Sequence, residues 1–349
     1  MRITMHMMMD SYRNDVGDAF ASMDKAMQRT IDYRKFERPS DDPLSASQTF
    51  DVHWQMRMND NYATNITDLQ GNITTAEKIL QNVDTLLTNA DNNDRLKAVN
   101  GDMNSDNRKV LADQLTQMRD EIVSQMNSTY SGNYLFGGSN NTDAPFRIVH
   151  DSKLGDQLYY RGINVDTGKL ADGSAPKVSL DELMKDKSYI DIGLGMKVNS
   201  DGSIDPQSAF NSSMPGIAYL GYGTDASGNP KNVCSLLTKI AGVLQSSSNE
   251  TSLSTSELNT IQNYVDTYRT SHTGLQNGQA EIGQRLQFLD GTSNYITDVD
   301  LNLQSKDNEV EFVSPYDAIK SFYSQSYCYS AALKVGSQVL QQSLMDYLK

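Results

Sequence analysis

Long apolar stripes at heptad spacing occupy both ends of this chain of 349 residues. Steps of four and three residues place apolar side chains on one face of a helix, and two such faces can pack as a coiled coil. The two ends therefore predict helices that pair with each other or with neighbouring subunits. The first stripe comprises Met5, Met9, Tyr12, Val16, Ala19, Met23 and Ala26, and the second, with gaps, comprises Ile319, Phe322, Tyr329, Leu333, Leu340 and Tyr347.

Between these ends, two further heptad patterns predict longer helices. A first helix is expected over residues 3–35 and a second over 44–98, after a start at Ser40-Asp41-Asp42-Pro43. In that start, Asp42 can accept hydrogen bonds from the first free N–H groups, and Pro43 suits the first helical position. The seam of the second helix comprises Tyr62, Ile66, Leu69, Ile73, Ala76, Leu80, Val83, Leu87 and Ala90. A helix over about 254–306 carries Leu275, Ile282, Leu289, Ile296 and Leu303, and Ser314-Pro315 begins the last one.

The middle of the chain differs from its helical flanks. Residues 131–230 hold 14 of the 23 glycines and 5 of the 8 prolines. The runs 157–160 and 195–198 are typical of short strands, and Asp201-Gly202 predicts a hairpin turn. A third helix before this region is expected to be capped by Ser105 or Asp106.

The expected fold is mainly α with a β-rich insert: an elongated rod of long antiparallel coiled-coil helices from both termini, with a small β domain in the middle of the chain. We expect an N-terminal assembly helix over residues 1–42 that pairs with a C-terminal assembly helix over 310–349. Inner helical-bundle halves are expected over 43–140 and 234–309, and the β-rich outer insert over 141–233.

Composition excludes several classes of function. The net charge of −14 argues against a nucleic-acid partner and an anionic membrane surface. No long apolar run predicts membrane insertion, and no signal peptide is expected. The histidines lack metal-ligand spacing, and no nucleotide-binding or nucleophile motif is recognisable. We therefore expect no enzyme activity, no cofactor and no metal, and we expect Trp54 on a helix face in a core or an interface.

Three motifs resemble the flagellin-like family, and within it the hook–filament junction proteins more than flagellin itself. The first is Ser40-Asp41-Asp42-Pro43, which follows the first helix. The second is Tyr134-Leu135-Phe136-Gly137-Gly138, and the third is the ending Leu344-Met345-Asp346-Tyr347-Leu348. The resemblance covers roughly residues 1–147 and 254–349.

The resemblance implies a structural subunit that is exported unfolded through the flagellar type III pathway and is extracellular without a cleaved signal peptide. The implied partners are other copies in a ring, an adjacent hook-associated junction protein, flagellin, and a cytoplasmic export chaperone on the C-terminal helix. Flagellin is the alternative identity; an enzyme with residues 148–233 as a catalytic insert and a coiled-coil signalling protein fit less well. The expected assembly interface comprises Met5, Met9, Tyr12, Val16, Met23, Phe322, Tyr329, Leu333, Leu340, Leu344 and Tyr347.

Overall fold

The computed structural model describes residues 5–99, 104–151, 155–247 and 252–347, and the side chains within 7–91, 104–151, 155–247 and 252–337. The chain divides into two compact units. The terminal unit combines the described residues of Met1–Asn61 and Ile296–Lys349, and the central unit consists of those of Tyr62–Tyr295.

The expected fold class is confirmed: long helices come from both ends of the chain, and small antiparallel sheets lie in its middle. The helices are α1 (Met5–Asp32), α2 (Pro43–Val99), α3 (Ser105–Met126), α4 (Leu180–Met184), α5 (Ile217–Leu220), α6 (Val233–Ser246), α7 (Thr255–Glu311) and α8 (Pro315–Tyr347). The strands are β1 (Thr129–Tyr130), β2 (Asn133–Tyr134), β3 (Phe146–Asp151), β4 (Gly155–Tyr160), β5 (Ile163–Asn164), β6 (Tyr189–Ile190) and β7 (Phe210–Asn211).

In the central unit, α2 packs antiparallel against α7 along the heptad seams. The α2 seam is buried from Ile66 to Ala90, with Tyr62 partly exposed at its start, so the periodicity identified the core face correctly. Bonds between the helices reinforce this seam. The Tyr268 hydroxyl donates to the Leu87 carbonyl at 2.7 Å, and Gln279 Nε2 donates to the Leu80 carbonyl at 2.8 Å.

In the terminal unit, the end of α1 lies beside the start of α8. Helix α1 ends at Asp32, before the expected residue 35, because Tyr33 adopts a left-handed conformation with a φ of 59°. The chain then pairs with the segment after α7: Lys35 N donates to the Glu311 carbonyl at 2.8 Å, and Val313 N donates to the Tyr33 carbonyl at 2.8 Å. These bonds hold the end of α1 beside the start of α8.

The N-cap residue of helix α3 lies one position earlier than expected. Asn104, rather than Ser105 or Asp106, is the N-cap, and its side chain accepts a hydrogen bond from Asn107 N at 2.9 Å. Asparagine caps a helix as well as serine or aspartate does, so Asn104 can take this position in place of either expected residue. Helix α3 then packs against α6.

The sheets are short. Strands β3, β4 and β5 form an antiparallel sheet in chain order, and the expected run 157–160 lies within β4. The expected strand over 195–198 is wrong: within it only Val198 pairs, in an isolated bridge with Ile204. Gly195 and Gly202 both have positive φ, which suits turns better than a strand. The hairpin turn at Asp201-Gly202 is confirmed, since Gly202 N donates to the Asn199 carbonyl at 3.0 Å.

A carboxyl group is buried between the sheet and α6. Burial raises the pKa of Asp166 to about 6, although a hydrogen bond with Ser235 and the charge of Lys239 act in the opposite direction. Its Oδ1 atom is buried without a hydrogen-bond partner. An ionised Asp166 therefore destabilises the folded central unit.

We predict that Asp166→Asn stabilises the protein at pH 8 and that this gain shrinks as the pH falls from about 6 towards 4. Below its folded pKa the native carboxyl takes up a proton that the unfolded chain still releases, so the penalty of the wild type disappears. A difference of roughly two pKa units corresponds to about 3 kcal/mol. Urea unfolding of both proteins at pH 4 and pH 8 measures the change.

Asp172→Asn is the matched control. The pKa of Asp172 is lowered by hydrogen bonds from Ser174, so its ionised form favours the folded state. Its substitution should therefore act in the opposite direction at pH 8. A gain for Asp166→Asn that does not change with pH would contradict the assignment.

Candidate assembly interface

Helices α1 and α8 pair antiparallel in the terminal unit. The Tyr12 hydroxyl donates to the Ala332 carbonyl at 3.1 Å, and further along the pair the rings of Phe20 and Tyr329 lie 5.6 Å apart. At the end of α1, Ala26 is buried, as is Ala318 near the start of α8. Because these two residues are small, the helices can approach each other closely here.

Gly336 explains how Tyr12 fits between the two helices. A Cβ atom at residue 336 would lie only 1.8 Å from the Tyr12 hydroxyl oxygen. Glycine therefore occupies a seam position of α8 because the tyrosine side chain crosses α8 there and donates to its backbone.

The expected interface residues divide into three groups. Tyr12, Val16, Met23, Phe322 and Tyr329 are partly buried, as befits seam positions between α1 and α8.

Met9 and Leu333 are instead 51% and 45% exposed. Met5, Leu340, Leu344 and Tyr347 fall within the two helices, but their side chains lie outside the described residues.

Helices α1 and α8 carry many large apolar side chains that are exposed. A high number of exposed apolar residues on one pair of helices favours a surface that binds a partner. We call the following side chains the outward apolar surface. They are Met7, Met8, Met9, Phe20, Met27 and Ile31 on α1, and Tyr316, Ile319, Tyr323, Tyr327, Leu333 and Val335 on α8.

The start of α2 adds exposed apolar residues that the sequence analysis did not assign. Leu44 and Phe50 are 71% and 64% exposed. Trp54, one helical turn after Phe50, is 58% exposed, so it does not belong to a core of the described chain. The sequence does carry a signal for these residues: large apolar side chains occur on the predicted helix before its heptad seam begins.

The motif Ser40-Asp41-Asp42-Pro43 is a helix start, as expected. The Asp42 carboxylate accepts hydrogen bonds from Ser45 N at 3.1 Å and from Ser45 Oγ at 2.7 Å. Asp41 accepts one from Lys25 Nζ at 3.0 Å, which ties the motif to α1. The Ser45 hydroxyl lowers the pKa of Asp42, and the Lys25 ammonium group lowers that of Asp41. Both carboxylates therefore stay ionised to low pH.

The motif Tyr134-Leu135-Phe136-Gly137-Gly138 lies in the central unit and is a packing element. Phe136 is fully buried, and its ring meets that of Tyr219 edge to face at 5.9 Å. Its carbonyl accepts hydrogen bonds from Gly216 N at 2.9 Å and from the Tyr160 hydroxyl at 3.1 Å. Gly137 forms a bridge with Pro215. The motif thus joins two segments that are far apart in the chain.

The outward apolar surface on α1 and α8 has the chemistry of a helix-packing interface. It offers methionine side chains, which adapt to irregular contacts, and tyrosine rings, which combine apolar area with a hydroxyl group. Among the described helices, none combines the length and apolar character required to cross a membrane.

We predict that Gly336→Ala separates α1 from α8, because the added methyl group overlaps the Tyr12 ring. Hydrogen exchange of α1 amides should become faster, and Tyr12→Ala in the same chain should partly restore protection. Gly17→Ala is the matched control, since a Cβ there has no atom within 4 Å. That control should be neutral or stabilising by up to about 1 kcal/mol. Equal exchange in both variants would contradict the close approach.

Comparisons with known proteins agree with this architecture. Residues 3–141 match the family model of the bacterial flagellin N-terminal helical region. Flagellar hook-associated protein 3 of Salmonella typhimurium is 30% identical over 147 residues, which are 42% of this chain and 46% of that protein. The Escherichia coli protein of the same name is 28% identical over 147 residues, which are again 42% of this chain and 46% of that protein. The chain thus aligns with about half the length of these curated relatives.

A solved structure shares the fold. It is that of a flagellar hook-associated protein from Vibrio parahaemolyticus, which is 18% identical, with a TM-score of 0.54. The match covers 78% of this chain and all of the other. The chain is therefore similar to flagellar hook-associated protein 3, and over residues 3–141 to the bacterial flagellin N-terminal helical region.

Proposed function

We propose that this chain is a structural subunit of the bacterial flagellum that joins the hook to the filament through packing of its terminal helices. One observation carries the proposal: the helices from both ends of the chain pair with each other and still expose a large apolar surface outward. The similarity to proteins named hook-associated protein 3 supports the junction role specifically.

The outward apolar surface suits contacts between copies of the same chain. Its α1 side carries methionines with Phe20, and its α8 side carries tyrosines, so the two sides differ in chemistry. Two different complementary faces on one subunit form head-to-tail contacts, which close into a ring or extend as a helical array. In the proposed ring, the assembly helices over 1–42 and 310–349 face neighbouring copies, with 43–140 and 234–309 around them and the insert over 141–233 outermost.

The remaining partners follow from the same role. An adjacent hook-associated junction protein binds one end of the ring, and flagellin binds the other. Before assembly, a cytoplasmic export chaperone covers the C-terminal helix around Phe322, Leu333, Leu340 and Leu344, as a groove holds an apolar helix face. The chain then passes unfolded through the type III channel and acts outside the cell. The proposal includes no catalytic step, no nucleic acid and no membrane insertion.

Flagellin, the filament subunit, is the second candidate. It would use the same helices, and the family match over residues 3–141 favours both candidates equally. The motif over 134–138 and the ending over 344–348 favour the junction protein.

Deletion of the gene separates these two candidates. A junction protein predicts cells with hooks but without filaments, and flagellin monomers released into the medium, because filaments have no attachment. Electron microscopy of the cells and immunoblotting of the medium measure both features. Absence of flagellin from cells and medium would identify this chain as the filament subunit, and intact flagella would contradict both roles.

A point substitution tests the helix surface itself. Tyr327 is 77% exposed, so Tyr327→Asp should leave the monomer folded and still prevent filament attachment, because the new carboxylate would be buried between subunits. Complementation of the deletion strain, scored by swimming and electron microscopy, gives the outcome. Val198→Asp, at a 63% exposed position in the central unit, is the control and should restore flagella. Normal filaments with Tyr327→Asp would contradict the proposed use of this α8 face.

A further inference from the structure

Three metal-ligating side chains meet in the terminal unit. His53 on α2 lies opposite Asp307 and Glu311, which are four residues apart and therefore share one face of α7. His53 Nε2 is 3.0 Å from Asp307 Oδ1 and 3.4 Å from Glu311 Oε2. One donor atom from each residue lies within 4.8 Å of the other two.

The direction of these contacts distinguishes His53 from the other described histidines. The ring nitrogens of His150 and His272 form hydrogen bonds with carboxylates at 2.7 Å each. Asp307 Oδ1 is buried and has no hydrogen-bond partner, although it lies 3.0 Å from His53 Nε2. The oxygen therefore lies off the axis of the ring nitrogen, and the close approach is not explained by a hydrogen bond.

Because both carboxylate oxygens approach the ring nitrogen without a hydrogen bond to it, the lone pair of that nitrogen is free to bind a cation that the three residues share. A tetrahedral zinc ion with bonds of about 2.1 Å separates neighbouring ligand atoms by about 3.4 Å and lies on the nitrogen axis itself. We propose that His53, Asp307 and Glu311 bind a divalent cation of the zinc type, with water completing the coordination. One imidazole and two carboxylates are a ligand set that zinc accepts.

Arg34 offsets part of the negative charge of this site. Its Nη2 atom lies 3.1 Å from Glu311 Oε1, so it engages one carboxylate oxygen and leaves Oε2 towards His53. The guanidinium group also lies close enough to repel a cation, which lowers the affinity. The bound ion would connect α2 to the last turn of α7, where the chain pairs with Lys35.

Isothermal titration of the purified full-length chain with zinc chloride, after removal of metals with EDTA, tests the site. We expect binding of one ion per chain, weakened at least tenfold by His53→Ala and by Glu311→Gln. Arg34→Gln should tighten binding, because the competing positive charge is removed. Cobalt titration of the wild type, followed by visible absorption, reports the nitrogen and oxygen ligands without any substitution.

His150→Ala is the matched control. His150 also contacts a carboxylate, but its side chain is 76% exposed and lies outside the cluster. It should leave the titration unchanged, and circular dichroism should show that every variant is folded. Lack of binding at one ion per chain, or equal weakening by His150→Ala and His53→Ala, would overturn the proposal. The outcome does not depend on a role in the flagellum, because it is measured on the isolated chain.

Discussion

The antiparallel seam between α2 and α7 is the interaction on which the rest of the structure depends. Long single helices are marginal in water, and most of their stability comes from burying one apolar face. Here the hydrophobic content is 38%, and a large part of it is concentrated on such faces. In the terminal unit, the same two helices bring His53 opposite Asp307. The hydrogen bond from Val313 N to the Tyr33 carbonyl then holds the end of α1 beside the start of α8.

Much of this architecture was readable from the sequence, because its determinants are local or periodic. The seam from Ile66 to Ala90 follows directly from steps of four and three. Helix starts at Asp42 and Ser314 depend on a cap and a proline within a few residues of each other. The physical reason is the same in both cases: the interaction that forms the element is specified within one or two helical turns.

The features that were missed or mistaken depend on contacts between distant residues. Heptad spacing on α1 and α8 placed Met9 and Leu333 in the same class as Tyr12, yet the pairing of the two helices leaves the first two exposed. Gly336 looks like a weak seam residue until the Tyr12 ring occupies the space beside it.

Two further features had no clear signal in the sequence. The run 195–198 forms only an isolated bridge, from Val198 to Ile204, because the positive φ of Gly195 interrupts its extended backbone. The cluster around His53 has no sequence signature, because its ligands come from two helices, α2 and α7, that are far apart in the chain.

The bridge between Gly137 and Pro215 has a consequence for how such chains can diversify. The segment between these residues is held at further points as well: Asn127 forms two hydrogen bonds with the Phe146 backbone, and Arg119 donates to Asp156. A segment that is anchored at several points tolerates changes of length in the exposed turns between its anchors. Turns such as Asp172-Gly173 and Asp201-Gly202 can therefore vary the surface presented to the surroundings while the helices keep their register.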